Sequence, residues 1–581
     1  MKNQEESLNK IRHSAAHLLA AAVIELFPNA KHTIGPAIEN GFYYDFDFGD
    51  VNLSDDDLVK IEDKMKQILP SWQSFTREEV TVAEAKKRFA KNPYKLELIN
   101  EFSKEGRKLT IYKSGTFEDL CRGGHAENPA KEIGAFKLLS IAGAYWRGDK
   151  KNKMLTRIYA TAFPTQKELE EYLKQQEEIS KRDHKKLGPQ LDLFTFSNLV
   201  GSGLPLWTPK GTLLRNILDD YVWELRKKYG YQRVTIPHIT KKDLYEKSGH
   251  WAKFSEELFK IETREGHMFA MKPMNCPHHT QIFASRLRSY RDMPQRYAET
   301  TMCYRDEQSG ELSGLSRVRG LTQDDAHVFC AFAQAEQEIS NIFDIVQTFY
   351  GTFGFELKTR LSTHDPEHME KYLGDESKWH EAEAILANFL KSRGVKYIDG
   401  TGEAAFYGPK IDFMSKDALG RTWQVATIQL DLNMPGRFEL SFINEKGEQE
   451  TPVMIHAAIM GSIERFLSIL IEHYGGAFPT WLSPVQIIII PIADRHVDYA
   501  RKIENLLLSN DIRVELDARA ESMQSKIRDA QMQKIPYMLV VGDKEKESNK
   551  VAVRKRSGEN LGAVDFDQFK KGLLNEIKEK I

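Results

Sequence analysis

Residues 304–327 read YRDEQSGELSGLSRVRGLTQDDAH. Tyr304 to Glu307, the polar glycine-bearing stretch QSGELSGLSRVRG, and Leu321 to His327 predict a strand, a long loop and a second strand. Taken alone, this is an ordinary charged hairpin, in which an Arg-x-Glu pair needs no function. Working outward, Gly461-Ser462-Ile463-Glu464-Arg465-Phe466 opens a helix whose apolar face continues through Leu467, Ile469 and Leu470. Upstream, Gly230-Tyr231-x-x-Val234-x-x-Pro237 follows a helix ending in Arg226, Lys227 and Lys228. Each of these is weak by itself, since a lone arginine is usually solvated or paired. No G-x-x-x-x-G-K-[ST] loop and no kinase signature set is present, so a nucleotide would need another cradle.

From Leu191 to Pro479 helices and strands mix without βαβ alternation, which predicts an antiparallel sheet with helices. Before it, residues 165–187 are dense in alternating charge and suit an exposed connecting helix. Further back, Leu8 to Leu26 has helical spacing, His13 and His17 share a face of that helix, and Pro28-Asn29 ends it. Residues 32–48 read as aromatic strands around Asn40-Gly41. After Pro484, Val485–Ile490, Val497–Leu508, Ile512–Leu516, Met523–Gln533 and Tyr537–Val541 alternate as βαβαβ.

The chain has 581 residues, enough for roughly three or four domains. With 41% hydrophobic and 29% charged residues it is globular, not disordered or fibrous. Lys and Arg total 82 against 84 Asp and Glu, a net charge of -2, so any nucleic-acid contact must come from local patches. Four irregularly spaced cysteines, Cys121, Cys276, Cys303 and Cys330, do not form a disulfide framework. The N-terminus lacks the apolar run of a signal peptide, and the apolar run 487–490 is strand-sized, so a cytoplasmic protein with no membrane partner is expected.

In order, the three elements around 230–237, 304–327 and 461–466 are similar to motifs 1, 2 and 3 of the class II aminoacyl-tRNA synthetases. Together with Met271-Lys272-Pro273-Met274-Asn275-Cys276-Pro277 and Pro452-Val453-Met454-Ile455-His456, the chain resembles the threonyl-tRNA synthetase family from His13 to near its C-terminus. The resemblance implies an α+β editing domain at 1–163, a linker helix at 164–190, an antiparallel-sheet catalytic domain at 191–480 and a βαβαβ anticodon-binding domain at 484–581. It implies ligation of L-threonine to tRNA(Thr) with ATP and Mg2+, by a homodimer paired through motif 1.

By the same resemblance Arg305 holds the ATP α-phosphate, Glu307 reads the adenine amino edge, and Arg317 and Arg465 engage the γ-phosphate end. Guanidinium suits these roles because it stays charged, forks onto phosphate oxygens and stacks on flat rings. Cys276, His327 and His456, which spacing alone would leave as a buried Cys and two unrelated His, become ligands of one Zn2+ with an open position. Asp325 receives the substrate hydroxyl, and Met274, Gln323, Tyr407, Lys410, Gln424 and Gln429 lie near the substrates. A metal is expected because threonine offers an amine and a hydroxyl where isosteric valine offers only the amine, and an apolar pocket separates such isosteres by only about 100-fold.

Serine has both groups and differs by one methyl, worth about 1–3 kcal/mol, so a second sieve is expected. The resemblance assigns it to His13, His17, Lys95, Asp119, Cys121 and His125, where Ser-tRNA is hydrolysed. Ser14 stands where a metalloprotease His-Glu-x-x-His needs its Glu, which excludes that reading. Whether the His/Cys cluster binds a metal or positions water is open. Glu545 and Arg554 fall where the family meets anticodon bases, against the alternative of a solvated charge run.

Three departures stand out. The sequence is expected to enter the editing region almost at once, without the family's usual N-terminal ubiquitin-like domain. Gly124 replaces a more usual Pro, and Ala457 replaces a common basic residue. The rival readings are an alanyl-tRNA synthetase, which has a similar His/Cys cluster, and a synthetase-like RNA-binding protein without catalysis. Cys276 with its two His and the C-terminal domain argue against the first, and retention of Arg305, Glu307 and Arg465 against the second.

Overall fold

The computed structural model describes every residue except 1, 39, 150, 418, 419 and 581. The chain divides into two compact units, Met1–Glu177 and Glu178–Ile581. In the first, the helix Lys2–Leu26 is buried from Ala15 through Val23, so its apolar residues face protein on nearly every side. It packs on an antiparallel sheet that places Lys31–His32, Gly41–Asp47, Met154–Phe163 and Ala135–Tyr145 side by side, with Ala37–Ile38 paired to Gly41–Asp47. Phe42, Tyr44 and Phe46 fill the space between sheet and helix. A second sheet joins Thr76–Val80, Leu109–Ser114 and Phe117–Leu120, and delivers Asp119 and Cys121.

The larger unit is organised by an eight-stranded sheet. Its order is Gln232–Arg233, Gln295–Tyr304, Gly320–Cys330, Val453–Ala458, Thr422–Asp431, Lys410–Lys416, Leu357–Thr363 and Tyr397–Thr401. The two outermost pairs are parallel and the rest antiparallel, which matches the expected antiparallel sheet with helices. Side chains alternate along each strand. Ala326, Val328 and Cys330 therefore share one core with Ile455, Ala457 and the helices Pro209–Lys227, Ala335–Thr352 and Ile463–Tyr474. Phe329 and Met454 belong to a separate cluster on the opposite face, with Cys276, Tyr297 and Tyr407.

The residues expected to form one linker helix form two, Gln166–Arg182 and His184–Gln190. Asp183 separates them because its carboxylate accepts the Lys185 N–H and caps the second. The βαβαβ reading of the C-terminal part holds for its three parallel strands. The structure adds Lys550–Lys555 and Asn560–Asp565, both antiparallel, and a closing helix Phe566–Glu579, so the sheet is mixed. Among the described residues no helix is long and apolar enough to cross a membrane.

A buried ion pair locks the central strand to the helical layer. Arg226, 2% exposed, meets Asp324, 0% exposed. The second Asp324 oxygen accepts the N–H groups of Ile459 and Met460 at 3.0 and 2.9 Å. Asp324→Ala leaves Arg226 buried without its partner and is expected to cost about 3–5 kcal/mol. Denaturant unfolding followed by tryptophan fluorescence measures this, and an unmoved midpoint would contradict it.

Candidate active sites

In the larger unit the register of the sheet sets His327, His456, Gln429 and Lys410 opposite one another on four successive strands. Directly opposed residues share a face, so these side chains form a row across the sheet. Cys276 joins them from the first turn of the helix Cys276–Ala284. One ligand atom from each of Cys276, His327 and His456 lies within 4.8 Å of the other two, and all three residues are buried. His456 Nε2 lies 3.0 Å from Asp431 Oδ2. A carboxylate only accepts, so Nε2 carries the proton and Nδ1 presents a lone pair. That Nδ1 stands 3.1 Å from His327 Nε2. Two nitrogens on one tetrahedral zinc ion are about 3.4 Å apart, so the spacing fits a shared ion.

Burial holds the His327 imidazole well below its ordinary value, helped by the neighbouring His279 and His456, and neutral imidazole is the ligating form. Burial also drives the Cys276 thiol well above its ordinary value, so with no cation beside it the sulfur keeps its proton. Asp325 Oδ2 accepts the Asn275 side-chain N–H at 3.0 Å, and its Oδ1 lies 3.7 Å from His327 Nε2. Burial pushes the Asp325 carboxyl up to about 6. The Tyr407 ring lies 4.9 Å from that of His456, and Gln429 donates to the Gly408 carbonyl at 2.9 Å.

Gln424 lies five residues before Gln429, an odd spacing that would put it on the opposite face of a regular strand. The ladder shifts between Phe413 and Met414, whose partners are Ala426 and Gln424, leaving Val425 as an extra residue. The bulge turns Gln424 to the side of Thr427, and both donate to Asp412 Oδ1, at 2.8 and 3.0 Å. Lys410 also reaches Asp412, at 2.8 Å. Ala457, by contrast, is 1% exposed in the helical core, where a basic side chain would be buried away from the row. Its difference from the family pattern removes no contact on the row's face.

The arginines converge beside this row. Arg305 follows the strand Gln295–Tyr304, and its Nη2 rests 3.6 Å from Met274 Sδ. Its Nε is buried and has no hydrogen-bond partner among the described residues. Arg465 donates from Nε to the Ser316 carbonyl at 3.1 Å. Burial, then the charges of Arg305 and Arg317, pull the Arg465 guanidinium below its ordinary value. Three cations held this close favour a polyanion. Arg317 Nε donates to Glu307 Oε2 at 2.8 Å, which occupies one of the two carboxylate oxygens. Gln323 bridges by backbone to Ser462, the cap of the Arg465 helix.

In the smaller unit His13, His17, Cys121 and His125 also bring their ligand atoms within 4.8 Å of one another. Cys121 Sγ lies 3.1 Å from His13 Nε2 and 3.4 Å from His125 Nε2. His13, His17 and Cys121 border a cleft of about 380 Å³ whose wall includes Lys95, Asp119, Tyr44 and Phe102. Asp119 binds Lys95 Nζ and the Tyr44 hydroxyl, each at 2.5 Å. Burial opposes its charge, but the Lys95 ammonium and the hydrogen bond from His32 outweigh burial and hold the carboxylate well below its ordinary range. Burial keeps His13 low, His17 well below its ordinary value and His125 down at about 3, so all three imidazoles are neutral. Gly124 has φ +86°, where proline, fixed near -65°, cannot go; the loop is built for glycine. In the C-terminal part, the Glu545 carboxylate accepts the Gly542 N–H at 3.0 Å and caps its own helix, while Arg554 is half-buried on the strand Lys550–Lys555.

Several residues escaped sequence reasoning. Asp431 and His279 orient the two histidines of the buried cluster, and Tyr44 and His32 serve Asp119. His184 accepts the Leu315 N–H at 3.0 Å and meets Glu472 at 2.6 Å, which ties the 305–319 loop to the Arg465 helix. Each lies far along the chain from its partner, so only the fold could reveal the pairing.

With this geometry established, comparison with known proteins defines the class. Residues 259–474 match the tRNA synthetase class II core domain (G, H, P, S and T), residues 486–576 the anticodon binding domain, and residues 109–159 the threonyl and alanyl tRNA synthetase second additional domain. The chain is 48% identical over 584 residues to threonine–tRNA ligase of Flavobacterium johnsoniae, covering 100% of this chain and 90% of that protein. It is 49% identical over 574 residues to threonine–tRNA ligase of Dehalococcoides mccartyi, covering 99% and 97%. Among solved structures, the RNA binding domain of threonyl-tRNA synthetase from Cryptosporidium parvum Iowa II aligns with a TM-score of 0.65 at 38% identity, covering 68% of this chain and 98% of that one. The chain belongs to the threonine–tRNA ligase family.

Burial, then the Asp119 charge, pushes the Cys121 thiol up to about 11, with the Gly123 N–H opposing. Less thiolate is therefore present at neutral pH than for a free cysteine near 8.5. Alkylation of Cys121 by iodoacetamide, followed by peptide mass spectrometry, is expected to be slow at pH 7.5 and to rise steadily to pH 10. A rate at pH 7.5 equal to that of a free cysteine would refute the shift.

Proposed function

We propose that the chain ligates L-threonine to tRNA(Thr) through threonyl-adenylate, and hydrolyses Ser-tRNA(Thr) at its second site. The observation that carries the reading is a buried Cys276–His327–His456 cluster on the same sheet face as Lys410 and Gln429, beside converging arginines. In this reading residues 1–163 edit, 164–190 link, 191–480 catalyse and 484–581 receive the anticodon through Glu545 and Arg554. The enzyme works as a cytoplasmic homodimer.

The threonine carboxylate attacks the α-phosphate of ATP, and pyrophosphate leaves with the bond's electrons. Alignment and charge neutralisation suffice, with Mg2+ carried by the nucleotide. Arg305 takes the α-phosphate, Arg317 and Arg465 the γ-end, and Glu307 the adenine amino group. Cys276, His327 and His456 would hold zinc, which supplies a Lewis acid with an open position for a substrate carrying both an amine and a hydroxyl. Asp325 accepts a hydrogen bond from the substrate hydroxyl, and Met274, Gln323, Tyr407, Lys410, Gln424 and Gln429 line the substrates. The tRNA ribose hydroxyl then attacks the activated carbonyl and displaces AMP. At the second site the neutral histidines and the Cys121 thiol hold a water against the Ser-tRNA ester, with Lys95 and Asp119 orienting the seryl group.

Cys276→Ser is expected to lose bound zinc and to lower threonine-dependent ATP–pyrophosphate exchange by about 100-fold or more. Metal analysis beside the exchange assay measures both, and normal exchange without metal would refute the role of that sulfur. His13→Ala combined with His17→Ala should leave charging near the parent rate while deacylation of Ser-tRNA(Thr) falls by about 100-fold. Unchanged serine clearance would remove the editing role.

A further inference from the structure

A third cluster of metal-ligating side chains lies apart from the row and its arginines. The strand Leu357–Thr363 leads into His364, and the helix Glu376–Ser392 packs beside that strand. Glu376, His380 and Glu383 stand four and then three residues apart, on one face of the helix. The His364 side chain is 4% exposed. Its backbone N–H and its Nδ1 both reach Glu383 Oε1, at 2.9 and 2.7 Å.

Since a carboxylate only accepts, Glu383 fixes the proton on Nδ1 and leaves a lone pair on Nε2. That Nε2 is buried and has no hydrogen-bond partner among the described residues. The His364 and His380 rings are 5.4 Å apart at 68°. One ligand atom from each of His364, Glu376 and His380 lies within 4.8 Å of the other two. His380 and Glu376 alone, each 62% exposed and 3.5 Å apart, would be an ordinary surface pair. A buried imidazole with its tautomer set by a carboxylate, and its other nitrogen unsatisfied, distinguishes the cluster.

We propose that His364, His380 and Glu376 bind a divalent transition-metal ion of the zinc class, with Glu383 as the positioning residue that fixes the His364 tautomer. Two imidazoles and one carboxylate select zinc-like ions over magnesium or calcium, which prefer oxygen donors throughout. The exposed Glu376 and His380 leave a path from solvent and room for a water ligand. The ion ties the first turn of the helix Glu376–Ser392 to the strand whose Ser362 is the register partner of Lys410.

The test uses the whole protein and Zn2+ itself, with His380→Ala as the reference so that other bound zinc is common to both. Zinc content by mass spectrometry after dialysis against 10-fold excess Zn2+, and calorimetric titration, are expected to show one more ion per chain in the parent than in His380→Ala. Added Zn2+ should raise the thermal midpoint of the parent by more than that of the variant, which keeps the other zinc-binding residues. Glu376→Gln should match His380→Ala, and Glu383→Gln should weaken binding by about tenfold or more. His364→Gln should also lose the ion; if that buried change prevents folding, the exposed His380 and Glu376 variants decide. Equal zinc content and affinity in the parent and His380→Ala would overturn the proposal, as would equal binding of Mg2+.

Discussion

The catalytic side of the larger unit depends on the alternation of one strand, Gly320–Cys330. Asp324 points into the helical layer, where Arg226 and two backbone N–H groups hold it. Asp325 and His327 must then point the other way. A slip of one residue would bury His327 among helices and turn Ala326 to the row. The same register orders the neighbouring strands, because His327, His456, Gln429 and Lys410 are opposed through consecutive ladders. The site is thus a consequence of the core's packing.

The helical side also controls the arginine end of the site. Glu464, buried one residue before Arg465, accepts the Thr322 N–H at 2.7 Å and its hydroxyl at 2.9 Å. This fastens the helix Ile463–Tyr474 to the central strand and leaves the Arg465 head free to turn toward Ser316. At its other end the helix holds His184 through Glu472, and His184 in turn holds the loop at Leu315. Loop and helix are braced at two points around clustered positive charge. Such charge destabilises the protein without its anion and strengthens the anion's binding when it arrives.

The two His/Cys clusters show how surroundings decide what similar groups do. In the larger unit Asp431 orients His456 and leaves the Nδ1 lone pair facing the cluster. In the smaller unit Asp119 is engaged by Lys95 and Tyr44, and Cys121 remains a protonated thiol beside neutral imidazoles at a cleft. The first arrangement fits a soft cation enclosed by protein; the second fits a polar pocket open to a substrate and to water.

Much of this was legible in the chain itself. Helical spacing located His13 and His17, the strand-loop-strand pattern located Arg305 to His327, and local motifs carried the family resemblance. These features are local, and a few residues suffice to express them. The linker's break at Asp183, the antiparallel strands after Val541 and the cap formed by Glu545 were missed, because each turns on one side chain's hydrogen bond or on pairing between separated segments. Sequence by itself determined which residue types were available and where the strands and helices that carry its local motifs would run. Only tertiary structure decided that Cys276, His327 and His456 meet, that the Val425 bulge returns Gln424 to the face of Thr427, and that Asp431 and Glu383 set the tautomers of their histidines. Distances between segments far apart in the chain follow from ladder register and burial, which no local spacing encodes.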